Sequence, residues 1–364
     1  MNDLSFVQKS ELFVYSGTNC VRNDYYFNAC QQCVDICPVG AFDIVRNKLT
    51  LYSNECIECS ACIGSCPTEA LSIKNFDPNA YTMNFASLAE DILSCKKTTN
   101  CLGVFDAHHY ITMALTKDKT PLCDMSHCQE CKLNLGKKVE NFIRAEIDKA
   151  NTFLQECGIE NLIATLEEKA EDANSKRTLF KAAFSKVKEI SEEEELEEKT
   201  PATLLHQRDP NFHGLPLKFL NLKRAIKENI SSFTKTSHET NFGLFAKKTI
   251  SFSDCTNCGE CVQFCPSGAL VKTADKQGIN FNSGDCIACG ICDHICKTDA
   301  IKTAEGIDLV NLAYDRGEEL VHYEMVMCHE CRCPYPYRGG DPICDRCADF
   351  QKDFSHVFTL AKDM

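Results

Sequence analysis

Residues 56–71 read CIECSACIGSCPTEAL: four cysteines separated by two, two and three residues, with proline after the fourth. The spacing returns at residues 286–301 as CIACGICDHICKTDAI. Cys56, Cys59, Cys62 and Cys66 superpose on Cys286, Cys289, Cys292 and Cys296 at one constant offset. Each copy has an upstream partner, ACQQCVDICPVGAF from residue 29 and NCGECVQFCPSGAL from residue 257. Between partner and copy in the first half, AFDIVRNKLTLYS (41–53) alternates apolar and polar residues around a polar turn, the pattern of a two-stranded ribbon. One compact unit is therefore present twice, at about 20–75 and at 250–304.

Composition narrows the setting. The chain has 364 residues, enough for two or three domains, and 27 cysteines in tight clusters. An odd count with repeated C-x-x-C spacing speaks for metal ligation and against a disulfide framework. The opening MNDLSFVQKSELF has no secretory or twin-arginine character, and no apolar run approaches membrane-spanning length. A soluble protein of the reducing cytoplasm is expected, without membrane insertion. Net charge of −13 disfavours nucleic acid and anionic membrane, and suits steering towards a basic patch on a protein partner. The sequence shows no GxGxxG, no phosphate loop, no GxSxG and no CxxxCxxC of radical enzymes, so no catalytic residue is assigned.

Both units resemble bacterial two-cluster ferredoxins, and the whole resembles a polyferredoxin. In that family a C-x-x-C-x-x-C loop gives three thiolates to one 4Fe–4S cube, and the fourth cysteine, before proline, serves the other cube. For the second unit the resemblance implies one cluster on Cys255, Cys258, Cys261 and Cys296, and one on Cys286, Cys289, Cys292 and Cys265. Lys297 stands where proline is usual. In the first unit Cys56, Cys59, Cys62 and Cys37 form a complete set. Cys30, Cys33 and Cys66 are one ligand short, because Phe27 occupies the position of the first cysteine. Cys20 is the nearest candidate, and its nine-residue loop to Cys30 can return to the cube, since extended chain spans roughly 3.3 Å per residue. Either Cys20 is the fourth ligand, or it is an ordinary thiol beside a 3Fe–4S cluster. Four cubane clusters are expected, with this one open to both forms.

The remaining cysteines form two further groups. In the tail, CHECRCPYPYRGGDPICDRC places Cys328-x-x-Cys331 before Cys344-x-x-Cys347. Two facing knuckles supply four tetrahedral sulfurs, which suits structural zinc or a rubredoxin-type iron, zinc being the expected occupant. Cys333 and His329 are read as bystanders. In the middle, Cys95, Cys101, Cys123, Cys128 and Cys131 flank a short apolar helix pattern at Tyr110, Met113 and Ala114. This stretch resembles the small iron–sulfur subunit found with methyl-viologen-reducing hydrogenase and heterodisulfide reductase. The resemblance implies a 2Fe–2S cluster on Cys95, Cys101, Cys128 and Cys131, with Cys123 surplus. Zinc and reduced core thiols are the rival readings. His108-His109 is read as helix or surface content, and Cys157 as a core or surface thiol.

Residues 137–157 place Val139, Ile143, Ile147, Ala150 and Leu154 on one helical face, and 176–188 form a second pattern with a basic opposite face. SEEEELEEKTP (191–201) reads as a solvated linker or a frayed helix end, and 200–250 carries no clear assignment. The expected class is α+β. A dicluster unit spans 1–78, a central α/β or helical cysteine module 79–160, a helical or linker region 161–249, a second dicluster unit 250–305 and a zinc-ribbon-like tail 306–364. Several one-electron centres without a substrate site point to an electron relay. Its expected partner is a redox protein or anaerobic oxidoreductase such as a formate dehydrogenase, a hydrogenase or a heterodisulfide-reductase-like enzyme. The alternatives are an assembly factor for a metalloenzyme, or a reductase using the central cysteines.

Overall fold

The computed structural model describes residues 13–26, 28–88, 91–116, 120–167 and 214–354. The helix expected at 176–188 and the acidic run at 191–201 lie outside the described residues. In the first unit, β1 (Phe13–Tyr15) awaits a returning strand, and β2 (Phe42–Val45) pairs with β3 (Lys48–Leu51) as a hairpin. Arg46 and Asn47 both have positive φ, 51° and 60°. That is the two-residue primed turn whose twist matches flanking strands. β4 (Leu71–Ile73) closes the unit by pairing antiparallel with β1.

The central module is a small α/β layer. Strands β5 (Ile92–Leu93), β6 (Leu122–Asp124) and β7 (Ala164–Leu166) run parallel in the order β5-β6-β7. Parallel neighbours need crossovers, and here these contain the helices Ala107–Thr116 and Lys138–Glu156. The second helix buries Val139, Ile143, Ile147, Ala150 and Leu154, the face expected from its spacing. In the first, every residue from Ala107 to Leu115 is buried, so His108 and His109 are interior and not surface residues. β7 carries the module past residue 160, where its end was expected.

Helix Leu217–Asn229, in the stretch without a sequence assignment, buries Phe219, Leu222, Ala225 and Ile226. β8 (Ser237–His238) precedes the second unit, where β9 (Lys247–Ile250), β10 (Leu270–Lys272), β11 (Gly278–Phe281) and β12 (Ile301–Ala304) repeat the first. β10 pairs with β11, and β12 closes on β9 as β4 closes on β1. The tail begins later than residue 306. β13 (Ile307–Asp308) pairs with β8, and β14 (Glu318–His322) adds a third strand to β11. Val321 and Tyr323 are buried with Ile279 and Phe281, which ties this segment to the second unit. The tail proper is the ribbon of β15 (Met325–Met327) and β16 (Pro334–Pro336) with helix Asp345–Phe354.

One continuous core joins the first unit, the central module and helix Leu217–Asn229. A Cβ on Gly64 would lie 2.5 Å from the Gly103 carbonyl oxygen and 2.9 Å from that of Phe105, so helix Ala61–Ser65 rests directly on the backbone of 102–105. Gly64→Val is expected to cost at least the 1–3 kcal/mol typical of overpacking, about the upper end since the obstacle is backbone. Chemical denaturation would show it, and an unchanged midpoint would refute this close approach.

Candidate iron–sulfur and metal sites

Four sets of thiols share one backbone frame. The residue three beyond each proline-type cysteine is left-handed: Gly40 at φ 67°, Glu69 at 53°, Gly268 at 73° and Asp299 at 58°. One residue on, Ala41, Ala70 and Ala300 donate backbone N–H bonds to the Sγ atoms of Cys37, Cys66 and Cys296 at 3.2, 3.3 and 3.2 Å. Bonds of this type stabilise thiolate charge and tune a bound cluster. Three C-x-x-C-x-x-C loops curl through paired left-handed residues, Glu58 and Ser60, Asn257 and Gly259, Ala288 and Gly290. Cys255, Cys258, Cys261 and Cys296 line one cavity, and Cys265, Cys286, Cys289 and Cys292 line another. Cys37, Cys56 and Cys59 are electrostatic neighbours of Cys62, whose thiol is pushed well up by burial first and then by those like charges.

Cys20 falls into the same frame. It lines a cavity with Cys30, Cys33 and Cys66. The residue four before each first ligand donates its N–H to the alanine carbonyl of its own set: Ser16 to Ala70, Tyr52 to Ala41, Ser251 to Ala300 and Asn282 to Ala269, all at 2.8 Å. Cys20 has φ −82° and ψ 120° after the short turn Gly17–Asn19, and Cys286 has φ −82° and ψ 123° after Ser283–Asp285. The extra chain lies beyond Cys20, where helix Val21–Asp24 replaces the usual two-residue step. Burial pushes the Cys33 thiol up to about 12, and the like charges of Cys66, Cys30 and Cys20 add to it.

Buried cations stand beside these sets, and no motif in the sequence signals them. Lys218 Nζ donates to the Cys66 carbonyl at 2.7 Å and to Asp106 Oδ2 at 2.6 Å. Asp106 also meets Nδ1 of His109 at 2.7 Å and of His108 at 3.1 Å. Burial opposes the charge of both Asp106 and Lys218. Lys218 and then the two histidines nevertheless hold Asp106 well below the carboxylate range, and Asp106 holds Lys218 above its ordinary value. In the second unit Lys248, 2 % exposed, bonds Asp293 at 2.6 Å and lies close to Cys292 and Cys286.

The central and tail groups differ in scale. Tetrahedral zinc at about 2.3 Å from each sulfur requires sulfurs roughly 3.8 Å apart. Cys328, Cys331, Cys344 and Cys347 have Sγ atoms within 4.8 Å of one another, and Cys331 to Cys344 is 3.7 Å. Among the described residues no other group of three or more donors is so tight, so neither the central thiols nor the dicluster sets are drawn to the scale of a single zinc ion. Cys333 and His329 are exposed and lie outside the group of four. Cys95 follows β5, and Cys128 and Cys131 follow β6, at the carboxyl edge where open α/β sheets place their sites. Cys101 is pushed up to about 12 by burial first, with Cys59, Cys128 and Cys95 as like-charge neighbours. Cys123 is fully buried within β6 and Cys157 under the core, its Sγ 3.7 Å from His238 Nε2.

The sets form a series. Cys101 neighbours Cys59, and Cys62 neighbours Cys33. Cys30 and Cys289 pack on the same small cluster of Val21, Phe219, Ile287 and Ile291, and line one cavity of about 420 Å³ between the units. Cys261 neighbours Cys292, and beyond it Arg338 of the tail donates to the Cys255 carbonyl at 2.6 Å.

Two family models, each described as a 4Fe-4S dicluster domain, match residues 28–71 and 247–297. The first begins after Cys20. A ferredoxin of Rickettsia felis is 28 % identical over 122 residues, 34 % of this chain and 91 % of its own. A ferredoxin of Methanothermococcus thermolithotrophicus is 35 % identical over 46 residues, 12 % of this chain and 77 % of its own. No helix among the described residues is long and apolar enough to cross a membrane.

Proposed function

Because the chain belongs to the ferredoxin-type iron–sulfur proteins and carries the 4Fe–4S dicluster domain in duplicate, we propose that this electron carrier is a relay with two ends. Bound iron–sulfur clusters would supply one-electron oxidation and reduction over a wide range of potentials. The polypeptide's part is to hold five thiol sets side by side and to cover all but the outermost. In order they are Cys95/Cys101/Cys128/Cys131 for a 2Fe–2S cluster, then Cys37/Cys56/Cys59/Cys62, Cys20/Cys30/Cys33/Cys66, Cys265/Cys286/Cys289/Cys292 and Cys255/Cys258/Cys261/Cys296 for cubanes. One observation carries this reading: of the cysteines in these sets only Cys95 and Cys258 are exposed, and they belong to the first and last. Cys328, Cys331, Cys344 and Cys347 would hold one zinc, which fixes the loop that delivers Arg338 to Cys255.

The partner is read as an anaerobic oxidoreductase of the formate dehydrogenase, hydrogenase or heterodisulfide-reductase type, on the polyferredoxin resemblance. Anaerobic iron, sulfide and zinc analysis with EPR tests the relay. About 18 irons, from four cubanes and one 2Fe–2S centre, are expected with one zinc and reversible reduction by dithionite. A full complement of iron in which no centre can be reduced would sink it, and would favour an assembly role.

A further inference from the structure

Exposed lysines gather in sequence about the central thiol set, in a chain whose overall charge is acidic. Net charge is −13. Yet Lys96 and Lys97 follow Cys95, Lys132 follows Cys131, and Lys137 precedes the long helix, all four exposed. None of these lysines forms an ion pair with a described residue. The acids close by are fewer, though they keep their charge where their partners are neutral or shared, as Arg144 is between Glu140 and Glu167. Asp124 accepts from Ser94 Oγ at 2.8 Å and Ser126 Oγ at 2.5 Å, and Glu140 binds Arg144 at 2.9 Å, which leaves Glu130 exposed. Between Lys132 and Lys137 in the chain, Leu135 is 48 % exposed, an apolar side chain flanked in sequence by lysines. At the other end of the series Lys297 pairs with Glu260, Lys302 with Asp299, and Lys272 donates to Asn257, which among the described residues leaves Lys276 as the exposed unpaired lysine beside the Cys258 loop.

We propose that the face around Cys95, Cys128 and Cys131, with Lys96, Lys97, Lys132, Lys137 and Leu135 beside them in the chain, docks a small acidic one-electron carrier protein. The inference rests on the relay reading and assigns one of its two ends. At about 0.1 M salt charges farther than roughly 10 Å are screened, so an acidic carrier at this face senses these lysines more than the distant net charge. Complementary charges of this kind set orientation and association rate, and exposed apolar contacts supply the adhesion.

The test uses the full-length, cluster-loaded protein and a small acidic two-cluster ferredoxin as probe. Zero-length carbodiimide coupling followed by mass spectrometry is expected to join the probe's carboxylates to Lys96, Lys97 and Lys132, with the products lost at high salt. Lys96→Glu/Lys97→Glu is expected to weaken probe binding about tenfold or more at low salt, within the range of electrostatic steering, while Lys302→Glu leaves it unchanged. Coupling spread evenly over the surface, coupling centred on Lys297 and Lys302, or an equal loss with Lys302→Glu would each overturn the assignment. If dithionite cannot reduce the protein, the relay reading fails. If dithionite reduces it but the probe does not couple at this face, the docking inference alone fails.

Discussion

Cys20→Ser is expected to remove one 4Fe–4S cluster or convert it to a 3Fe–4S cluster, leaving the other cubane signals in place. Three thiols would remain at Cys30, Cys33 and Cys66, and the site is too enclosed for a substitute: Cys20 is 8 % exposed and Cys66 also 8 %. The phenol of Tyr15, hydrogen-bonded to Cys20, does not make a natural replacement. Burial, then the hydrogen bond with Cys20, holds the Tyr15 phenol above its ordinary value, as burial and Cys255 do for Tyr323. A tyrosine therefore accompanies the first ligand in both units, and it stays protonated at neutral pH. Iron analysis should fall by about one to four atoms per chain, and oxidised EPR should gain a 3Fe–4S signal where one iron is lost. Unchanged iron content and an unchanged spectrum would return Cys20 to the ordinary thiols.

The duplication was legible because cysteine spacing is set by the size of a cluster, not by packing. Alternation between the motifs was enough for the β2–β3 hairpin, and apolar spacing was enough for the long amphipathic helix. Cys20 was legible only as the sole unused thiol upstream, since residues 21–29 follow no repeat. Its stronger signal was a backbone frame, the Ser16 to Ala70 bond, which residue identities do not reveal. The tail boundary shifted because Val321 and Tyr323 look like tail strands in sequence, and pack on Phe281 only once β11 is in place. Helix Leu217–Asn229 was missed because its apolar stripe is narrow and it carries a buried lysine, which reads as a solvated face. Helix Ala107–Thr116 hid its buried histidines for the related reason that a helix covered on all sides has no amphipathic pattern to read. The acidic net charge pointed to a basic partner. Exposed lysines gathered in sequence about the central thiol set favour an acidic one instead.

Lys218→Met is expected to destabilise the protein by about 3–5 kcal/mol, the usual consequence of leaving one partner of a buried ion pair without the other. Asp106 is 5 % exposed and Lys218 3 % exposed, but both line the cavity between the units and Asp106 keeps its two histidine contacts, so the lower end of that range is expected. The pH dependence follows from the directions of the two shifts. Asp106 is held below its ordinary value, so its contribution is present above about pH 4 and is lost as pH falls through the lowered folded value. Lys218 is held above its ordinary value, so its contribution is present below about pH 10 and is lost as pH rises through the raised folded value. Below the first limit and above the second the penalty should shrink, which denaturant midpoints at pH values across both limits would check. Asp106→Asn/Lys218→Met should recover most of the loss, since replacing both charges removes the desolvation problem along with the attraction. The pair also separates structure from tuning. Lys218→Met removes a positive charge 2.7 Å from the Cys66 carbonyl and should make the cluster on Cys20, Cys30, Cys33 and Cys66 harder to reduce. The double variant removes both charges and should shift that cluster's potential less. Equal potentials in the wild type and Lys218→Met, with stability lost, would confine Lys218 to folding.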